Sequence, residues 1–351
     1  MPPRFNPNAF TFPENLVLDL HDLAGILLHE RALTEPRFKH AQLLEVRRGS
    51  ELAESLPAAT QGVWINIPGP DKVAYILKTP AQPPSEPVEP DTFLHPAYNP
   101  SSSGELSAQA LEMIYWRVKH HDSGYKMSHA MQLVLDSLPE STKVKIRTAK
   151  GCSAVCEASS FMIGGNSLVV PKVAMYVNNI TEQRWSTTQV GLSQYILDAD
   201  PIPYIYLSFV IPPASGKGDA DVVVLDLVSA MFGIRGHGGE TFILEKANAH
   251  HERLWTACTE IEPEYAVARI RTEDDNNKKE PEELAMRVLS RLEAICSGAG
   301  DFCRYCGKPK DLQQLSQCSG CKKAKYCSKN CQRAAWKYHN AWCKEDGADL
   351  L

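Results

Sequence analysis

The chain is 351 residues long, 43% apolar and 23% charged, enough sequence to bury one large core or two moderate ones. Its 37 basic and 42 acidic residues give a formal charge of -5, which provides no global field for holding nucleic acid or an anionic membrane and excludes a polybasic, histone-like binder. Met1 to Phe12 carries three prolines and no apolar run, and no segment is apolar over a bilayer-spanning length. An intracellular protein, cytoplasmic or nuclear, is expected.

In chain order, Leu18 to Glu30 reads as a helical patch, and Val63 to Ile67 and Val73 to Leu77 read as strands. Thr79 to Ser103 holds seven prolines and a serine cluster and reads as an extended connector. Leu106 to Val118 and Lys126 to Leu138 follow as helices, then Lys143 to Arg147 as a strand. Ser153 to Met162 reads as a further helix starting just after Cys152. Tyr204 to Ile211 and Val222 to Leu227 are short, β-branched or aromatic runs bounded by Pro, Gly and Asp, the pattern of buried strands. Pro281 to Ile295 repeats Leu284, Val288, Leu289 and Leu292 at helical spacing and ends in Ser297-Gly298-Ala299-Gly300. No repeat of fixed period is present, so a solenoid or propeller is not expected. The fold class is α+β, with a large mixed body over residues 1–300.

Charge and cysteine change abruptly after that small-residue stretch. Residues 301–351 hold eight Lys and two Arg against five acids, so this tail is +5 and residues 1–300 are -10. Seven of the 11 cysteines lie between Cys303 and Cys343. The run Cys303-x2-Cys306-x11-Cys318-x2-Cys321-x5-Cys327-x3-Cys331-x7-His339-x3-Cys343 supplies eight soft or borderline ligands, enough for two tetrahedral ions. Cysteines separated by two residues let one tight turn present both sulfurs to an ion, and separation by three places side chains one helical turn apart. Thiolate and imidazole in closed sets select zinc and leave no open position for catalysis, so two structural Zn²⁺ are expected. A disulfide framework is the competing reading; it needs an oxidising compartment and fits poorly with seven cysteines. Ligand count alone allows sequential or interleaved pairing. Structural zinc contributes on the order of 10 kcal/mol of folding free energy, so metal loss is expected to melt the tail and spare residues 1–300.

The ligand order, with Tyr326 before Cys327, Gln332 after Cys331 and Trp336 before His339, resembles the MYND zinc finger, here over residues 301–345. The resemblance implies interleaved sites: Cys303, Cys306, Cys327 and Cys331 on one zinc, Cys318, Cys321, His339 and Cys343 on the other. It also implies a protein-interaction module that docks proline-rich peptides. Gln332 and Trp336 are four apart on an expected helix that Ser328 can cap, which sets an amide beside an indole face and makes them the binding candidates. Tyr326 is expected to be structural, and Trp336 has packing in the finger's own small core as its competing role. Lys322, Lys323, Lys325, Lys329, Arg333 and Lys337 raise nucleic acid as a partner. Seven thiolates and two zinc ions bring the loaded finger only to about +2 against a body near -10, which argues against phosphate binding. The segment Pro80 to Pro90 is a candidate ligand for a finger of the same or another molecule.

The body offers no legible chemistry. No Asn-His cofactor motif of SET methyltransferases, P-loop or Gly-x-Ser-x-Gly is present. His120 and Asp122 match the His-x-Asp spacing of iron hydroxylases by chance, in a stretch that reads as a helix end. Cys152, at the start of its expected helix beside Lys150, is the candidate nucleophile. The two later strands, with Asp226, resemble faintly those of transglutaminase-like or papain-like hydrolases. Where that pattern places its histidine the chain has Tyr204, and His237 lies on the wrong side of Asp226, so the triad lacks its base. The competing role of Cys152 and Cys156 is to be small apolar packing residues on one helix face; His250-His251 are expected to cap or end a helix. The leading reading is a zinc-binding adaptor, and the alternative is a cysteine-dependent hydrolase or transferase acting through Cys152.

Overall fold

The computed structural model describes residues 5–48, 71–82, 88–98, 106–121, 123–171, 173–181, 184–186, 202–213, 220–272, 274–310 and 314–343. Val63 to Ile67 and Asp122 lie outside the described residues. Among the described residues helices and strands are mixed throughout, and three sheets lie in the body.

Strand β1 (Val17–Asp19) leads directly into α1 (Leu20–Thr34). The Asp19 carboxylate caps this helix by accepting from His21 N at 2.9 Å, which satisfies one of the orphan amides of the first turn. Leu20, Leu23, Ala24, Ile26, Leu27 and Leu28 are all buried. They cover most of the helix circumference, as expected for an element at the centre of a core rather than on its surface. Helices α2 (Ala108–Lys119), α3 (Gly124–Asp136) and α5 (Asp275–Cys296) surround it, with α5 packed on α1 and α3.

The first sheet has the order β1, β4 (Lys143–Arg147), β5 (Ser153–Glu157), with β1 parallel to β4 and β4 antiparallel to β5. Here the structure corrects the sequence reading: Ser153 to Met162 is not a helix. Cys152 ends a turn in which Gly151 adopts φ +83°, and the chain returns beside β4, pairing Cys156 with Val144. Cys152 and Cys156, four apart, share a face on a strand as well as on a helix, and pairing to β4 decides. The two thiols are half-buried, Cys152 at the end of the turn and Cys156 on β5, and are not stacked on a helix face.

The second sheet is antiparallel throughout, in the order β11 (Ile243–Lys246), β10 (Asp221–Asp226), β9 (Ile202–Ile211), β6 (Phe161–Pro171), β12 (Cys258–Val267). Helix α4 (Ala247–Leu254) packs against β10 and β11, and α3 packs against β9. The third sheet runs β2 (Gln42–Arg48), β3 (Asp71–Thr79), β7 (Val173–Thr181), β8 (Arg184–Ser186), with a parallel β3–β7 pair at its centre. The chain thus leaves the second sheet at the end of β6 and enters the third within a residue or two.

The proline-rich stretch is not a free connector over its described second half. Val88, Phe93 and Tyr98 are buried, and Leu94 bridges Leu43 through Leu43 N donating to Phe93 O and His95 N donating to Leu43 O, both at 2.7 Å. Prolines set extended geometry, but the apolar residues between them dock it on β2. No described helix is long and apolar enough to cross a membrane.

Candidate metal centre

Two four-ligand sets assemble in the tail, the ligand atoms of each within 4.8 Å of one another: Cys303, Cys306, Cys327 and Cys331 in one, Cys318, Cys321, His339 and Cys343 in the other. Cys306 and Cys327 sulfurs lie 3.7 Å apart, Cys318 and Cys343 3.8 Å, and Cys321 Sγ is 3.5 Å from His339 Nε2. A tetrahedron of Zn–S bonds of about 2.3 Å has edges of about 3.8 Å, so the donor sets fit zinc. Every cysteine is a free thiol, which removes the disulfide reading, and the sets interleave rather than follow one another.

Local structure explains the interleaving. Strands β13 (Ser316–Gln317) and β14 (Lys325–Tyr326) pair antiparallel, carrying Cys318 across to the region of Tyr326 and Cys327. Helix α6 (Lys329–Trp342) then contributes Cys331 to the first site and His339 to the second from opposite ends. Ser328 caps it, its hydroxyl accepting from Cys331 N at 3.1 Å. Tyr326 is buried between the two sets with its ring 6.1 Å from His339. Hydrogen bonds from Cys306, Cys327 and Cys331 hold the Cys303 thiol well below its ordinary pKa, while the same sharing with Cys303 pushes Cys306 up. A divalent cation displaces the shared protons and takes their place.

With this geometry in place, comparison with known proteins is decisive for the tail. Residues 303–343 match the MYND finger family. The chain carries a MYND finger, a domain generally used in protein–protein interaction. It is 44% identical over 62 residues to the MYND-type zinc finger protein samB of Aspergillus terreus and of Aspergillus niger, and 42% identical over 62 residues to that of Emericella nidulans. Each match covers 17% of this chain and 10% of the relative, so the chain spans about a tenth of the length of these curated relatives. No solved structure matches.

The MYND finger is built into the body. Phe302 is buried in the body's main core. Arg304 pairs with Asp22 of α1. Tyr305 Oη donates to Glu112 of α2 at 2.8 Å, and Arg235 ties both together, 2.7 Å from Glu112 and 3.3 Å from Tyr305. Gly307 adopts φ +74° and passes so close to α1 that a Cβ would stand 2.2 Å from the Gly25 carbonyl oxygen. Lys308 reaches Glu89 of the proline-rich stretch at 3.7 Å. From α6, Tyr338 and Trp342 enclose His21 at ring distances of 4.4 and 5.1 Å, and the Arg147 guanidinium lies 4.6 Å from the centre of the Trp342 ring.

Sequence reasoning missed this interface. Its one local signal is the Tyr338–Trp342 pair, four apart on the helix face away from Trp336. The Gly236 to Gly239 loop is part of it as well. A Cβ on Gly238 would meet Tyr338 Cβ at 2.7 Å, so the glycine there allows close approach of α6.

Of the binding candidates, Trp336 is 48% exposed, its ring leaning edge-on toward the His339 ligand at 5.9 Å, and Gln332 is half-buried one turn before it. The catalytic candidates are not brought together. Burial pushes the Cys152 thiol up rather than down, and no helix begins there to activate it. His237 is exposed in the glycine loop. Asp226, wholly buried, accepts from Tyr204 Oη and from Val228 and Ser229 N at 2.9 and 3.0 Å, with His250 Nε2 at 3.2 Å. His250 is therefore an interior partner of Asp226 within α4 rather than a helix end. Cys152, Asp226 and His237 form no triad.

Proposed function

We propose that this protein is an adaptor whose MYND finger presents the Gln332–Trp336 face of α6 to a proline-containing peptide of a partner protein. The observation that carries the reading is the exposed indole of Trp336 on a helix fixed at both ends by metal ligands, on the side away from Tyr338 and Trp342. A large aromatic ring held rigid and half in water offers contact area to an extended polyproline segment at little conformational cost. Two closed zinc sites give the face its rigidity and leave no ligand position for chemistry at the metal. Seven cysteines kept as metal-binding thiolates suit a reducing compartment, cytoplasm or nucleus. The cysteine-hydrolase alternative finds no support in the placement of Cys152.

The test is an anisotropy titration of the full-length, zinc-loaded protein against labelled proline-containing peptides and serine-for-proline analogues. Saturable binding of the proline members, lost in Trp336→Ala with two zinc equivalents retained, is expected. Equal binding of the serine analogues, or undiminished binding by Trp336→Ala, rules the reading out.

A further inference from the structure

We propose that the peptide taken by α6 is acidic as well as proline-containing, its carboxylates lying along Lys329, Arg333 and Lys337; this rests on the binding face proposed above. At 100° per residue, Gln332, Trp336 and Asn340 form one line along the helix and Lys329, Arg333 and Lys337 the adjoining one, together an arc of about 140°. Trp336 and all three cations are exposed.

Three cations of the finger are matched: Arg304 by Asp22, Lys308 by Glu89, and Lys325 by Asp301 at the base of the finger. The Lys337 side chain passes beside Gly239 of the body loop, which offers it no carboxylate. The chain has acids to spare, 42 against 37 bases. Yet among the described residues no carboxylate lies within 4 Å of Lys329, Arg333 or Lys337, and α6 has no acid of its own. The arrangement works against the helix that carries it. Cations at i, i+4 and i+8 repel one another, and Lys329 occupies the first turn, where the helix dipole disfavours positive charge. The four-thiolate zinc site offsets the charge of Lys329, which it flanks in sequence, but Arg333 and Lys337 continue the line beyond it. An anionic ligand laid beside the Gln332–Trp336 line would relieve all three, and a polyproline segment keeps its side chains extended and spaced for such contacts.

The chain supplies a probe of this chemistry. Residues 79–91 combine five prolines with Glu86, Glu89 and Asp91 and no cation. A synthetic peptide of that sequence is titrated into the full-length, zinc-loaded protein in 20 mM NaCl, beside its neutral counterpart with E86Q, E89Q and D91N. At least tenfold tighter binding of the acidic peptide is expected. The gap should close in 0.5 M NaCl and in the triple variant K329Q/R333Q/K337Q, whose zinc content and circular dichroism are unchanged, while Trp336→Ala loses both peptides. Equal affinity of the two peptides overturns the acidic preference and leaves the proline reading standing. Failure of both at millimolar concentration, or retention of both by Trp336→Ala, overturns the two together. A 20-nucleotide single strand binding more tightly than the acidic peptide, with or without Trp336, assigns the cations to nucleic acid and overturns the proposal.

Discussion

Replacing Trp342 by Ala tests whether the finger holds the body together. Trp342 is 5% exposed and packs on Tyr338, His21 of α1 and the Arg147 guanidinium that ends β4. Truncating a buried Trp costs about 3–5 kcal/mol, and loss of the Arg147 contact lies within that range. Zinc ligation itself is untouched, so most of the loss falls on docking. At about 1.4 kcal/mol per factor of ten, a loss of about 4 kcal/mol raises the population of undocked molecules roughly a thousandfold. Native-state hydrogen exchange reads this directly, because amides protected by docking exchange in proportion to the open population. The first turns of α1, around His21 and Asp22, and the end of β4, at Arg147, should exchange roughly a thousandfold faster, while β10 and β11 in the second sheet change little. Chelation of zinc should reproduce the pattern, extending the effect of metal loss into residues 1–300, which the sequence alone implies would be spared. If Trp342→Ala keeps two zinc equivalents and faster exchange is confined to residues 301–343, the finger is an independent appendage and the coupling argument fails.

Burial holds His120 and His121 down to about 3, against about 6.5 unfolded, so both stay neutral when folded. Their contribution is complete above pH 6.5 and is lost as pH falls toward 3, about 2 kcal/mol each at pH 5; urea unfolding between pH 7 and 5.5 with excess zinc should show the slope, and H120Q/H121Q should flatten it. Lys119, lowered to about 7 by burial, makes stability rise with pH between about 7 and 10.5, a dependence that Lys119→Met should remove in the same assay. Gly307→Ala forces an L-residue to φ +74° with its Cβ on the Gly25 carbonyl, and thermal unfolding should show at least about 2 kcal/mol lost with both zinc ions kept. Tyr204→Phe removes one donor from the buried Asp226 carboxylate and should cost about 1–3 kcal/mol in denaturant titrations, whereas His237→Ala, at an exposed position, should be neutral.

What the amino-acid order determined by itself was whatever depends on spacing along one element. Ligand pairs two or three residues apart can reach one ion because a single turn carries both, so the metal chemistry was legible from Cys303 to Cys343. The Ser328 cap, β4, and the cores of α1, α2, α3 and α5 were legible for the same reason, since a local rule of capping or period acts within each. Tertiary structure alone decided the rest. Cys152 and Cys156, four apart, fit both periods equally, and only a partner strand made Ser153–Glu157 β5. Val88 and Phe93 were hidden among prolines until β2 offered them a surface. His250 met Asp226 across 24 residues, and Trp342 met Arg147 across about half the chain and His21 across nearly all of it. Contacts at such separations leave no periodic trace in sequence, because each side chain is placed by the packing of an element remote from its own.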